Sequence, residues 1–454
     1  MWMVRTMVGV LLVGALTGGC AGKARELMPT PLLYQSPGQP PGQSPGQPSM
    51  QQVLFTRAPR DPRDLELLYV TDRAGGDTDA AVPYGEGRLR GLVYGSARMR
   101  IGPGLDGDGV LRQSLLARRT RPVTLELGRV EELGRFPEEP YAIVRDAADR
   151  VRLDPAGLRR FARARADLQQ QLRVRLAATP RKELLLYVHG FNETFASAAY
   201  TAAELCHFLG REPVCAIFTW PAAASGNLLT SYTATTESAE YAVEHLKKTL
   251  RMLAATPGLE RIQLLAHSRG TLVLVDALRE LVVEALIQGQ DPRARYRIDN
   301  LVLMSPDIDI DLAAQKITGF VSDPDLLGAR AARPLPRLLS GRLTVYASPR
   351  DRALLISRIL FRSRDRVGQI ALEDIRPGAQ RYLATLGRID LVSYEGRRTD
   401  FFGHGYFTTN PRVSADLVAL LRYGRGPDDP LRALERTGPA TWRFPDVEDG
   451  VSLR

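Results

Sequence analysis

Apolar positions recur along this chain in two rhythms, and the change from one to the other marks its organisation. Leu158, Phe161, Leu168, Leu172 and Leu176 fall on one stripe at helical spacing. Asp154 and Pro155 supply a helix start before them, and Pro180 bounds the helix at its far end. Beyond that point, short and almost unbroken apolar runs alternate with helical segments. The runs are 183–188 (ELLLYV), 214–219 (VCAIFT), 262–266 (IQLLA), 301–305 (LVLMS), 343–347 (LTVYA) and 389–395 (IDLVSYE). Strands of this composition are buried on both faces. With helices between them they predict an α/β fold, a mostly parallel central sheet covered by helices on both sides. Ala239, Val243, Leu246, Leu250 and Leu253 mark the helix before the third run; Leu272, Val275, Leu278 and Val282 mark the helix 271–286 after it.

Upstream the signals are weaker. Strand-like runs at 65–70 (LELLYV) and 122–127 (PVTLEL), separated by glycine-rich turns such as 102–109, define an N-terminal extension over 53–180. Residues 36–48 read SPGQPPGQSPGQP, a repeat that can bury nothing and tends to extended conformations. The folded part is therefore expected to begin near Val53, with its core over 181–425 and a C-terminal tail over 426–454. At the start, the lone Arg5 precedes an apolar run from Met7 to Leu16 and the small residues Thr17, Gly18 and Gly19. This is an export signal over 1–19, too short to span a bilayer. The segment TGGC, ending at Cys20, resembles the lipobox of bacterial lipoproteins, although Thr17 stands where a large aliphatic is usual. The resemblance implies that acyl chains on Cys20 anchor the protein to a membrane through a linker over 20–52. Ala21 in place of Asp favours the outer membrane, with the protein in the cell envelope facing the periplasm.

Composition narrows the possibilities. The 454 residues are 44% hydrophobic and 25% charged, which excludes a disordered, collagenous or multi-span chain. The net charge of +10 comes from 61 basic residues, only five of them lysine, scattered among acidic ones. No basic arm or RNA-binding signature accompanies it, so nucleic acid is not an expected partner. Dispersed histidines without an HExxH or CxxC argue against a metal site, and the lack of a P-loop or GxGxxG against a nucleotide cofactor. Cys206 and Cys215, nine positions apart, are compatible with a disulfide in an oxidising compartment or with two buried thiols. Trp220-Pro221 is read as wall or core.

The chemistry concentrates where the third run ends. Ala266-His267-Ser268-Arg269-Gly270 lies between a strand and a helix, the context of the G-x-S-x-G turn that exposes a nucleophilic serine, with Ala266 as the first small residue. Serine needs a base, and the base needs an orienting acid. In such sheets these follow in the order Ser, acid, His on loops after later strands. Asp351 follows 343–347, and His404, the only histidine downstream of the serine, follows the last run in a glycine-flanked loop. Asp307, after 301–305, is the alternative acid. The first run ends in His189-Gly190-Phe191-Asn192, where an oxyanion hole would draw one amide from Phe191 or Asn192 and another from Arg269.

The segments LLLYVHGFN, FTWP, LLAHSRG, LVLMSPDID, LTVYASPRDRAL and FGHGYF, with YVTDR near the N-terminus, resemble a bacterial α/β-hydrolase family of unknown function. The likeness extends over about 67–421 and implies a serine-hydrolase core without specifying a substrate. The resulting expectation is a membrane-tethered serine hydrolase acting on a small ester-like substrate, carboxylesters first. Two alternatives stand beside it. One is an envelope lipoprotein that uses the scaffold to bind a partner with its triad idle. The other is an envelope lipase or acyltransferase with a lid drawn from 317–339 and 356–386.

Overall fold

A computed structural model describes residues 25–35, 53–57, 59, 61–76, 82–222, 228–322, 337–361, 365–398, 400 and 402–445. The export segment, Cys20, the 36–48 repeat and part of the candidate lid lie outside the described residues.

The strands are β1 (Arg25–Glu26), β2 (Asp64–Gly75), β3 (Tyr84–Ile101), β4 (Thr124–Arg135), β5 (Ile143–Arg145), β6 (Val151–Leu153), β7 (Glu183–Val188), β8 (Val214–Thr219), β9 (Arg261–His267), β10 (Ile298–Met304), β11 (Leu343–Ala347), β12 (Ile389–Ser393), β13 (Glu435–Arg436) and β14 (Thr441–Arg443). All but the β5–β6 hairpin join one sheet in the order β1-β4-β3-β2-β8-β7-β9-β10-β11-β12-β14-β13. Neighbours from β2 through β14 run parallel, and the pairs at both margins run antiparallel. This is the α/β-hydrolase fold. Successive strand residues point to opposite faces. Leu184, Leu186 and Val188 accordingly enter one core, and Leu185 and Tyr187 the other.

The short helix α1 (Gly107–Gln113) lies between β3 and β4. Asp154 caps α2 (Pro155–Ala178) by accepting the Ala156 and Gly157 amides, and Leu168, Leu172 and Leu176 are buried beneath it. Leu158, expected on the same stripe, is 49% exposed. The helices α3 (Phe195–Phe208), α4 (Leu228–Ala254) and α5 (Gly270–Ile287) follow β7, β8 and β9. A disulfide joins Cys206 on α3 to Cys215 on β8, deciding between the two readings of that pair.

Three boundaries differ from the sequence reading. Residues 25–35, expected in the linker, are folded: β1 pairs with β4, Arg25 meets Glu204 at 2.7 Å, and Leu27, Met28, Leu33 and Tyr34 enter the core. The extension is not separate, because β2 adds to the parallel sheet beside β8 with Leu68 opposite Ala216. The C-terminal tail is folded at least to Pro445. β14 pairs with β12, Trp442 is buried, and the buried Arg432 guanidinium meets Asp416 with Nη2 2.9 Å from Oδ2.

Candidate active site

β9 ends at His267 and α5 begins at Gly270, so Ser268 occupies the turn with φ +53°. A non-glycine residue in this left-handed region costs about 1–2 kcal/mol, so neighbouring contacts must hold it. The Ser268 amide donates to the Met304 carbonyl (2.9 Å), and its carbonyl accepts from the Thr271 amide (3.1 Å), the Thr271 hydroxyl (2.6 Å) and the Asp307 amide (3.3 Å). Ala266 is fully buried. A Cβ on Gly270 would collide with the His189 carbonyl and lie 2.8 Å from that of Val188. Glycine is therefore required for the elbow to press against the end of β7.

Asp351, in the loop after β11, is buried, and its Oδ1 accepts the Leu354 amide at 3.1 Å. Its Oδ2 lies 2.6 Å from Nδ1 of His404, whose side chain is 17% exposed. A carboxylate acceptor assigns the proton to Nδ1 and leaves Nε2 as the basic nitrogen. Burial lowers the pKa of His404, but the charge and hydrogen bond of Asp351, helped by Asp307 and Asp400, outweigh it and hold it above the ordinary imidazole value. Asp400, which the sequence reading passed over, organises the base loop. Its carboxylate accepts the amides of Phe402, Gly403, His404 and Gly405.

Of the two candidate acids, Asp351 is the one hydrogen-bonded to His404. Asp307 instead accepts from Ser357 Oγ (2.6 Å) and lies near the guanidinium groups of Arg366 (3.4 Å) and Arg269 (3.8 Å). The ring of His267 lies 4.6 Å from that of His404, and His267 Nε2 contacts the His404 carbonyl at 3.3 Å. His404 therefore stands beside the elbow. Among the described residues, no hydrogen bond joins the 7% exposed Ser268 to the His404 imidazole. Catalytic hydrogen bonds of this kind are often long without substrate and tighten in the complex.

The loop after β7 closes over the serine. A Cβ on Gly190 would stand 2.7 Å from Ser268 Cβ and 3.3 Å from Oγ. His189 Nε2 accepts the Trp220 amide (3.1 Å), so the neutral ring carries its proton on Nδ1 and donates to the Gly190 carbonyl (3.0 Å). Burial, then the charge of Arg73, lowers its pKa to about 3. A planar peptide points its carbonyl and N–H in opposite directions. By fixing the Gly190 carbonyl, His189 therefore fixes the direction of the Phe191 N–H. Trp220 stacks on His189 at 5.5 Å, and its Nε1 donates to the His189 carbonyl (3.0 Å). The Asn192 amide is committed to the Ala222 carbonyl (2.9 Å).

Arg73, within the YVTDR segment of β2, was not singled out from the sequence. It is buried and braces this loop through Thr219 Oγ1 (2.8 Å), the Gly85 carbonyl (3.1 Å) and the Glu193 carbonyl (2.6 Å). The signal available was the charged pair Asp72-Arg73 just past the apolar stretch 67–70, which marks partnered groups when the strand is central.

A family model described as alpha/beta hydrolase of unknown function (DUF900) matches residues 164–422. No curated protein matches the chain. Among solved structures, an esterase of Pyrobaculum calidifontis aligns with 15% identity and a TM-score of 0.29, over 54% of this chain and 78% of its own. An esterase of Pyrococcus furiosus aligns with 14% identity and a TM-score of 0.25, over 47% and 74%. A hydrolase from Oleispira antarctica aligns with 11% identity and a TM-score of 0.28, over 54% and 92%.

Proposed function

The chain belongs to the alpha/beta-hydrolase family of unknown function, and from that premise we propose that it is a serine hydrolase cleaving carboxylic esters. Ser268 Oγ attacks the ester carbonyl while His404 Nε2 takes its proton. Asp351 keeps the imidazole in its tautomer and stabilises the imidazolium. The oxyanion is received by the Phe191 and Arg269 amides, the latter at the start of α5, where the helix dipole favours negative charge. Collapse breaks the bond to the alkoxy group, which leaves with the proton from His404. Water, deprotonated by His404, then attacks the acyl-enzyme; collapse breaks the bond to Ser268 Oγ, which takes the proton back from His404 as the acid is released.

The observation that supports this reading best is the 2.6 Å contact between His404 Nδ1 and the buried Asp351, beside a serine held at positive φ. The test is labelling with a fluorophosphonate, which reacts with activated serines. Wild type is expected to label, and Ser268→Ala and His404→Ala are not; a folded wild type that stays unlabelled would sink the proposal. The idle-scaffold reading has one observation in its favour, the lack of a hydrogen bond between Ser268 and His404, and the same experiment separates the two.

We propose further that Cys20 is lipidated and holds the protein on the periplasmic face of the outer membrane. Support comes from the TGGC segment after an apolar run. Among the described residues, no helix is long and apolar enough to cross a membrane. Cys20→Ser should move the protein from the membrane to the soluble fraction and remove the acyl mass from its N-terminal peptide; an unchanged distribution would refute the anchor.

A further inference from the structure

The loops that carry Asp351 and His404 also bound an open cavity of ≈ 550 Å³, lined by Arg350, Arg352, Arg397, Arg398 and Asp400. Two arginines flank the acid on either side, and two precede Asp400 in the base loop. Elsewhere in this arginine-rich chain, guanidinium groups find carboxylates, as Arg342 does with Asp390, Arg422 with Glu212 and Arg432 with Asp416. Among the described residues, none of the four cavity arginines forms an ion pair. The one carboxylate in the lining, Asp400, is occupied by the four amides of its own loop.

One further feature raises the positive potential. Arg352 is the first residue of the ten-residue helix Arg352–Phe361, where the helix dipole disfavours a cation unless an anion is near. The acid and base loops are also tied together around the cavity, by the Arg352 amide to the Phe402 carbonyl (2.8 Å) and by Arg350 Nη1 to the Gly396 carbonyl (3.3 Å). The stem of Arg398 lies against Gly403, where a Cβ would stand 2.7 Å from its Cγ. The base loop thus reserves room for this side chain.

We propose that this cavity is an anion subsite that takes the phosphate of a phosphorylated ester substrate, an inference that rests on the serine-hydrolase reading. A carboxylate offers one charge and two oxygens, enough for one or two guanidinium forks. A phosphate monoester offers nearly two charges and three oxygens, which matches four arginines around one space. The cavity is larger than a phosphate alone and admits part of the group that bears it. The arginines stand on the two loops that carry the base and its acid, so a phosphate bound here is held by the same two loops as His404.

The test is calorimetric titration of the full-length protein with inorganic pyrophosphate at low salt. It is repeated on Ser268→Ala and on the triple variant Arg350→Gln, Arg397→Gln, Arg398→Gln, whose exposed positions spare the core. Saturable binding is expected in wild type and Ser268→Ala, weakened at least about tenfold in the triple variant and by added salt. Equal affinity in the triple variant, or no saturable binding in wild type, overturns the subsite. Vesicles containing phosphatidic acid identify the source: displacement of pyrophosphate supports a lipid headgroup, and no displacement supports a soluble phosphoester. Binding is read without turnover. Intact binding with failed fluorophosphonate labelling would remove only the hydrolase reading, and intact labelling without binding would remove only the subsite.

Discussion

Gly190→Ala probes the candidate oxyanion loop with a single methyl group. The new Cβ would sit 2.7 Å from Ser268 Cβ, 3.0 Å from the His267 carbonyl oxygen and 3.3 Å from Ser268 Oγ. Carbon atoms in a packed interior separate by about 3.5 Å or more, so the loop must retreat from the elbow by roughly 0.8 Å. Neither side yields easily. The elbow is held through the Ser268 amide and carbonyl, and the loop through His189, Trp220 and Arg73. Oxyanion donors work only within about 2.7–3.1 Å of the developing charge, so such a retreat removes the Phe191 contribution and should lower kcat by about 10²–10³. Overpacking adds about 1–3 kcal/mol of destabilisation. The assay is hydrolysis of a short p-nitrophenyl ester with thermal unfolding on the same samples. A variant that keeps wild-type kcat would refute the placement of the oxyanion at this loop, whatever its melting temperature.

Asp351→Asn should cost about 10³–10⁴ in kcat, because the amide no longer fixes the tautomer or stabilises the imidazolium. His404 must be neutral to act as base, so the acid limb of wild-type kcat/KM should lie above the ordinary imidazole value of about 6.5. In the variant, burial dominates and the limb should move below it; an unmoved limb argues against the pair. His189 should keep its proton on Nδ1 and stay neutral from pH 8 to pH 4 in a nitrogen-15 titration, since its pKa is lowered to about 3. Protonation near the ordinary value would contradict the strut. Replacing Cys206 and Cys215 with alanine opens a loop of sequence separation 9 and should lower unfolding free energy by about 2–3 kcal/mol, measured by urea denaturation; no change would show that the bridge adds nothing.

The parts of this molecule that announce themselves in the sequence are those where burial is complete. β7, β8 and β11 have the bounds that their apolar runs suggest, since a strand covered on both faces admits few polar residues. β3 escaped because its residues YGEGRLRGLVYGSARMRI mix glycine and arginine with the apolar positions. Its second half packs, while its first half is mostly exposed and pairs with the end of β2. The turn at Ser268 and the pairing of Asp351 with His404 were legible because each residue follows a strong strand in a fixed order. Arg73 and Asp400 were not, because their roles lie in backbone groups distant in sequence or in loop amides that no periodicity encodes. Residues 25–35 carry two prolines and border a low-complexity repeat. They fold because Arg25 finds the buried Glu204 and Tyr34 the Phe208 carbonyl, partners more than a hundred residues away.

That docked segment changes what a lipid on Cys20 would do. Arg422 Nη1 hydrogen-bonds both Tyr34 Oη (2.6 Å) and the Val53 carbonyl (3.0 Å), so the chain leaves and re-enters the fold at one guanidinium. The proline- and glutamine-rich stretch between is therefore not in series with the anchor and cannot lengthen it. Only four residues separate Cys20 from β1, a span of at most about 18 Å when fully extended. The tether expected over 20–52 would thereby be reduced to a short stalk, and a lipid on Cys20 would hold the body against the bilayer. The expected height of the protein above a supported membrane, measured by neutron reflectometry, is unchanged when residues 37–47 are deleted. It increases when twenty glycine and serine residues are inserted after Gly22. A drop in height on the deletion, with the melting temperature preserved, would mean that the repeat bears the span and that the 25–35 segment does not stay docked in the lipidated protein.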